Sequence, residues 1–433
     1  MTQERTFTGL VSYTFGVTVA VDTNQLRVNA SRMLLRLAEL ARIGDTHDGG
    51  CARLALTDED RQGRDLVIGW MRELGLEVTI DQVGNVFGTW SIDGRAPVMT
   101  GSHIDTVRTG GRFDGNYGVL AGLEVIHTLQ DHGLRPGRSL SVAFFTNEEG
   151  ARFAPDMFGS LVHVGGMSVE EAHATIGIDG AAVGDELERI GYLGTSPCPG
   201  PAPHAFVELH IEQGPILESE GVTVGAVTGV QGISWMEVII EGQSNHAGTT
   251  PMNMRRDPAL VCAEITVFLR SLALRFGGNQ VCTVGKVDLH PNLVNVVPAS
   301  ARMTLDVRNT DEDLLRQAEE EIAQHLDMLA RRENVTIRTR VLARFAPVEF
   351  SPDVIDLVDR TARRLGHTCR RLPSGAGHDA QMLARTCPSG MIFVPSIDGI
   401  SHNPRENTDD ADLEAGANVL LHVMLQLAEE NRA

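Results

Sequence analysis

Along most of this chain short apolar runs alternate with helical patterns, and one block of a different order interrupts them. EVTIDQVGNVFGTW, APVMTGS, SLSVAFFTN, AFVELHIEQG and SGMIFVP read as strands. NQLRVNASRMLLRLAELARI, TDEDRQGRDLVIGWMREL, GVLAGLEVIHTLQDHG and DDADLEAGANVLLHVMLQLAEE carry apolar positions at helical spacing. Thr57, three residues before Asp60, is a capping pattern for the second of these helices. Buried strands need cover on both faces, so the alternation predicts an α/β fold, a mixed sheet flanked by helices.

The interruption runs from about residue 229 to 344. There the order is strand (QGISWMEVIIEG), helix (DPALVCAEITVFLRSLALRF), strand (QVCTVGKVDL), strand (SARMTLDVRN), helix (TDEDLLRQAEEEIAQHLDMLARR) and strand (VTIRTRVLA). Asp257 before Pro258 marks one helix start, and Thr310 with Asp313 another. This β-α-β-β-α-β order is the split βαβ sandwich, which predicts an inserted ferredoxin-like α+β domain. A chain of 433 residues is expected to form two domains on size alone. The expected division is an N-terminal arm at 1–22, a larger domain from 23–228 and 345–433, and the insertion at 229–344.

Composition narrows the partners. A net charge of −20 argues against nucleic acid and against anionic membrane, which both call for a basic face. The six cysteines are scattered without a CxxC pair, which fits free thiols in a reducing cytoplasm. No apolar run approaches the roughly 18 residues of a membrane-spanning helix, and the Thr- and Ser-broken start reads as a terminal arm rather than an export signal. A dinucleotide-binding oxidoreductase is disfavoured, since no GxGxxG opens a helix after an early strand.

Polar clusters stand at strand ends, where ligands collect in open α/β sheets. His103-x-Asp105 and then Asp114-Gly115-Asn116 follow one strand, Glu148-Glu149 another, His210-x-Glu212-Gln213 a third, and Ser401-His402 a fourth. Taken singly, each is better explained as a turn or a solvated face. Together they would crowd carboxylates and imidazoles at one sheet edge, which requires a cation or protons for neutralisation. Imidazole and carboxylate donors without thiolate suit zinc, or manganese, cobalt or nickel. The set exceeds what one four-coordinate ion uses, so two ions sharing a bridging carboxylate are expected. Asp105 is placed to accept the second ring N–H of His103.

The ordered series HID…FDG, NEEGARF, HIEQGPILE, GQSNHAGTTPM, NLVNVVPASARMTLDVR, SGAGHDA and GISHNPRE resembles the dinuclear zinc amidohydrolases of the carboxypeptidase and aminoacylase superfamily. Within that superfamily it is most similar to the branch of N-carbamoyl-L-amino-acid hydrolases, β-ureidopropionases and allantoate amidohydrolases, over nearly the whole chain from about residue 24. The resemblance implies a zinc exopeptidase-like catalytic domain with the insertion as lid and dimer interface. It implies Asp114 as bridging ligand, His103 and His210 completing one metal site, and Glu149 and His402 the other. Glu148 becomes the general base, and adjacent strand-end side chains diverge, which leaves it free of the metal that Glu149 takes. His246 polarises the scissile carbonyl, from the same chain or from a partner copy. Arg308 binds the substrate carboxylate, with Asn295 beside it, and Gln213, His378 and the backbone at Gly377 line the pocket.

The expected activity is hydrolysis of the ureido C–N bond of an N-carbamoyl amino acid, of α or β type, to amino acid, ammonia and carbon dioxide by a metal-bridged hydroxide. Allantoate amidohydrolase is the nearest alternative, followed by an N-acyl hydrolase or peptidase. A non-catalytic metal-binding protein on the same fold is the rival from another class, and it has no use for Glu148.

Overall fold

The computed structural model describes residues 23–429 together with the backbone of an antiparallel strand pair, Val11–Thr14 and Val17–Ala20. The remainder of the arm read at 1–22 lies outside the described residues. The chain divides into two compact units, 1–228 with 349–433 and 229–348.

In the larger unit the sheet follows from burial. The strands Val98–His103, Leu140–Phe145, Ala205–Ile211 and Ser389–Val394 are buried at every residue. Such strands need cover on both faces, and they are the four parallel neighbours at the centre, in the order 389–394, 205–211, 98–103, 140–145. Antiparallel strands extend the sheet on either side: Val86–Trp90 and Glu77–Ile80 beyond 140–145, Val224–Val230 beyond 389–394. The helices Ala30–Ala41, Asn116–Asp131, Pro352–Arg364 and Asp410–Glu429 pack against one another and, through 116–131 and 410–429, against the central strands. Phe158–His163 and Asp379–Leu383 pack together as a second set against the same strands. The result is a mixed sheet flanked by helices. Because the four central strands run parallel, their carboxyl ends lie along one edge of the sheet.

Local chemistry explains where elements start and where they depart from the pattern. Thr57 caps Asp58–Glu73 by accepting the Asp60 amide, and Asp257 caps Pro258–Phe276 by accepting the Ala259 amide. The first long helix starts only at Ala30, because Asn29 accepts the Arg32 amide and stops the helix there. The cap expected from Thr310 and Asp313 is Asp311, whose carboxylate accepts the Leu314 amide. EVTIDQVGNVFGTW is two strands rather than one. Asp81 Oδ1 takes the amides of Val83 and Asn85, folding the chain back between them.

The smaller unit has a four-stranded antiparallel sheet in the order Val281–His290, Ser300–Asn309, Gly232–Glu241, Thr336–Phe345, with helices Pro258–Phe276 and Glu312–Arg332 between its strands. Alternate strand residues, Val238, Ile240, Ala301, Met303, Leu305 and Val307, meet Val261, Ile265, Leu269, Ile322, Leu326 and Leu329 of the helices in one core. This is the ferredoxin-like arrangement. Its last strand reaches Phe345 and the unit ends at Val348, beyond the 344 read from the pattern. Among the described residues no helix is long and apolar enough to cross a membrane.

Candidate metal and active site

Each central strand delivers part of the site from its carboxyl end. His103 closes Val98–His103, and His210 sits one residue before the end of Ala205–Ile211. Glu148 and Glu149 follow Leu140–Phe145, and His402 lies in the loop after Ser389–Val394. Three of the connecting loops hold a non-glycine residue in the left-handed region, Asn147, Gln213 and His402, with φ of 56°, 56° and 53°. Such residues are uncommon and persist only where surrounding contacts fix them. Asn147 is fixed by its side-chain amide, which donates to Phe153 O at 2.7 Å and accepts the Phe153 amide at 3.3 Å.

Asp114 is the centre. Its Oδ1 lies 3.2 Å from His210 Nε2 and 3.5 Å from His103 Nε2. Its Oδ2 lies 3.4 Å from His402 Nε2, which is 3.1 Å from Glu149 Oε2. Two triads therefore share this carboxylate, His103–Asp114–His210 and Asp114–Glu149–His402, each with donor atoms within 4.8 Å of one another. Gly115 makes the first possible: its φ is +65°, and a Cβ there would lie 2.4 Å from the His103 ring. The helix Asn116–Asp131 starts directly afterwards and carries Asp114 on its N-terminal lead, where the positive end of the helix dipole favours a carboxylate.

The rings are oriented for ligation. His103 Nδ1 lies 2.9 Å from Asp105 O, and His210 Nδ1 lies 2.8 Å from Ile211 O. A proton on each Nδ1 satisfies these carbonyls and leaves the Nε2 lone pairs turned toward Asp114. His210 Nε2 indeed accepts the Gly115 amide at 3.2 Å. This corrects one expectation. The Asp105 group that orients His103 is its backbone carbonyl, while its carboxylate stands 4.0 Å away. That carboxylate instead accepts the amides of Glu148 at 3.2 Å and Glu149 at 3.4 Å.

Electrostatics favours a cation here. Burial by itself would lower His103, yet Glu148, Asp114 and Asp105 hold its pKa well above the ordinary value. Burial would likewise raise Asp114, but the facing rings of His103, His210 and His402 hold it well below the carboxylate range. Burial pushes Asp105 up to about 6, against the pull of His103. His402 is raised to about 10 by Asp114 and then Glu149. A field that draws protons onto imidazoles attracts metal cations equally. Glu149 Oε1 is buried with no hydrogen-bond partner among the described residues, an orphan that a bound cation would satisfy. The donor set, imidazole and carboxylate with no thiolate, fits zinc-like divalent ions.

Glu148 belongs to the same cluster, its Oε2 3.4 Å from His103 Nε2. Burial raises its pKa well above the ordinary value, against His103. Gln213 Nε2 donates to Asp114 Oδ2 at 2.8 Å, so it touches the shared carboxylate directly. His378 is buried against His210, ring centroids 4.6 Å apart, with Nε2 3.0 Å from Ser374 Oγ. Burial, then the charge of His210, keeps it well below the usual histidine value and hence neutral. Gly377 precedes it, and a Cβ there would lie 2.9 Å from Met157 Cε. Three further buried carboxylates at the site, Glu208, Asp379 and Glu406, are not among the residues read from the sequence, and the charge of Asp379 adds to the rise of Glu148. Glu208 accepts the Ser102 hydroxyl at 2.6 Å and the Ala380 amide at 2.8 Å. Its only sequence signal is a carboxylate in a buried strand, two residues before His210.

His246, Asn295 and Arg308 lie in the smaller unit. His246 ends a short strand paired with Val296–Val297, and exposed Asn295 stands just before that partner strand, its carbonyl accepting the Ala247 amide. His246 Nδ1 accepts the amides of Gly248 at 3.0 Å and Thr249 at 3.3 Å, which puts the ring proton on Nε2. Arg308 forms a two-point pair with Asp306, Nε–Oδ1 2.9 Å and Nη2–Oδ2 2.9 Å, 5.8 Å above the Trp235 ring.

Residues 99–426 match the peptidase family M20/M25/M40. The chain belongs to that family. It is 40% identical to the N-carbamoyl-L-amino-acid amidohydrolase of Rhizobium meliloti, over 93% of this chain and 97% of the relative. It is 36% identical to the allantoate amidohydrolase of Escherichia coli, over 90% and 96%. A solved structure, the amidase of the hydantoinase/carbamoylase family from Burkholderia multivorans, superposes with a TM-score of 0.91 at 44% identity, over 94% of this chain and 99% of that one. This M20 protein thus falls in the carbamoylase and allantoate amidohydrolase branch, and it is a hydrolase of amide C–N bonds.

Proposed function

We propose that this M20 amidohydrolase cleaves the ureido C–N bond of N-carbamoyl amino acids with two divalent cations, zinc foremost, at the Asp114 centre. The observation that carries this reading is the division of the Asp114 oxygens between two ligand triads, with Glu148 beside the first. His103, His210 and Asp114 hold one cation, and Asp114, Glu149 and His402 the other. Cations bound there lower the pKa of water and polarise carbonyl oxygen. Glu148 takes the proton of the attacking water and hands it to the leaving nitrogen, serving as base and then acid. Water adds to the carbamoyl carbon, the bond to the amino-acid nitrogen breaks, and the carbamic acid left over decomposes to ammonia and carbon dioxide.

His246, with its proton on Nε2, is suited to donate to the carbamoyl oxygen as charge develops on it. Arg308 takes the substrate carboxylate in the two-point manner it now uses with Asp306, and Asn295 assists from beside His246. Gln213, His378 and the Gly377 backbone line the pocket. A homodimer through the inserted unit completes the proposal. Leu260, Val267 and Leu274 form an exposed stripe at seven-residue spacing, and Val281 and Val287 stand exposed on the edge strand. A cytoplasmic location is supported by six free cysteines.

The test is ammonia release from several N-carbamoyl-L-amino acids, N-carbamoyl-β-alanine and allantoate, with and without a chelator. Chelator-sensitive turnover of a carbamoyl amino acid is expected. Turnover of allantoate alone, the reading that the Escherichia coli relative favours, would overturn the substrate assignment. Full activity in a metal-free protein would overturn the centre itself.

A further inference from the structure

The loop that carries His402 is the least buried part of the site. The His402 side chain is 51% exposed, against 4% for Asp114 and 1% for His210, yet its Nε2 is held 3.4 Å from Asp114 Oδ2. Something other than packing of the imidazole must fix that distance. Glu406, four residues further on, is only 2% exposed and takes no part in the chemistry described above. Its Oε1 accepts the amides of Phe113 at 3.0 Å and of Asp114 itself at 3.2 Å. Its Oε2 accepts the hydroxyl of Ser401 at 2.9 Å, the residue directly before His402. Ser401 Oγ is also 3.2 Å from Asp114 Oδ2. The carboxylate thus holds both ligand loops at once. Among the described residues no lysine or arginine pairs with it, so these donors are what compensates its burial. The chain makes room for it at Gly111, where a Cβ would lie 2.1 Å from Glu406 Cδ.

We propose that Glu406 is a positioning residue: it ties the Asp114 loop to the His402 loop and so sets the fit of the cation held by Asp114, Glu149 and His402. This rests on the two-cation reading above. Gln at 406 keeps an oxygen for the two amides, and the Ser401 hydroxyl can turn to accept from its NH2. Ala leaves two buried amides without an acceptor and frees Ser401.

Metal-free wild type, E406Q and E406A are titrated with Zn2+ by calorimetry and with Co2+ by visible absorption, circular dichroism checking the fold. Wild type is expected to bind two ions per chain. E406A is expected to lose about tenfold to a hundredfold in affinity for one of them, with an altered Co2+ spectrum. E406Q should remain close to wild type. E406A with both affinities and the spectrum unchanged would overturn the proposal. If E406A does not fold, S401A decides: a weakened ion supports the link, and two wild-type affinities overturn it. Wild type binding fewer than two ions refutes the two-cation reading itself, a failure distinct from that of Glu406.

Discussion

Asp105 holds the backbone amides of both Glu148 and Glu149, Oδ1 on the first at 3.2 Å and Oδ2 on the second at 3.4 Å. One carboxylate therefore sets the direction in which the proposed base and a candidate ligand leave the strand end. Asn at 105 can accept only one of these amides and turns an NH2 toward the other. The expected result for D105N is a fall in kcat of about ten- to a hundredfold, with both cations still bound. Steady-state kinetics paired with elemental analysis would read this, and an unchanged kcat would remove the role.

Glu148→Gln tests the proton carrier. The amide cannot take a proton from water, but its shape and its contact with His103 are nearly kept. Turnover should drop by about 10²–10⁴-fold while metal content stays at the wild-type value. Loss of metal together with activity would instead make Glu148 a ligand.

Arg308→Lys replaces a planar fork with a point charge at the place where Asp306 is now paired at two points. We expect KM for an N-carbamoyl amino acid to rise about tenfold or more, with a smaller change in kcat. A KM that does not move would place substrate-carboxylate recognition elsewhere.

His422 gives a prediction about stability. It is buried in the helix Asp410–Glu429 with Nε2 3.1 Å from Leu26 O. Burial, then the charge of Arg364, lowers its pKa to about 4. Between that value and about 6.5 the unfolded chain binds the proton and the folded chain does not. Stability from this group is therefore complete above pH 6.5 and is lost as pH falls toward 4, on the order of 2–3 kcal/mol. Urea unfolding of wild type and His422→Gln at pH 7 and pH 4.5 should show the smaller pH dependence in the variant. Parallel losses in the two proteins would contradict it.

What the sequence revealed, and what it concealed, follow from the range of the interactions. The mixed sheet was legible because its central strands are largely apolar, and His103, Asp114, Glu149, His210 and His402 stood out because each lies at or beyond the carboxyl end of one of them. The inserted fold was legible from element order. Side-chain partnerships spanning hundreds of residues were not. Asp105 was assigned to His103 by proximity in sequence, whereas its carboxylate reaches across to the neighbouring strand end. Glu406 reads as a loop acid, since nothing in its neighbourhood announces that Phe113 and Asp114 will come to it. The split of EVTIDQVGNVFGTW depends on one carboxylate turning back on its own backbone.

The helix that begins just after Asp114 is buried along nearly its whole length, from Asn116 to Leu129. Any repacking of that rod shifts a side chain that both candidate metal positions have in common. Conservative substitutions such as Leu120→Met or Val125→Ile are therefore expected to tell on turnover before they tell on melting temperature.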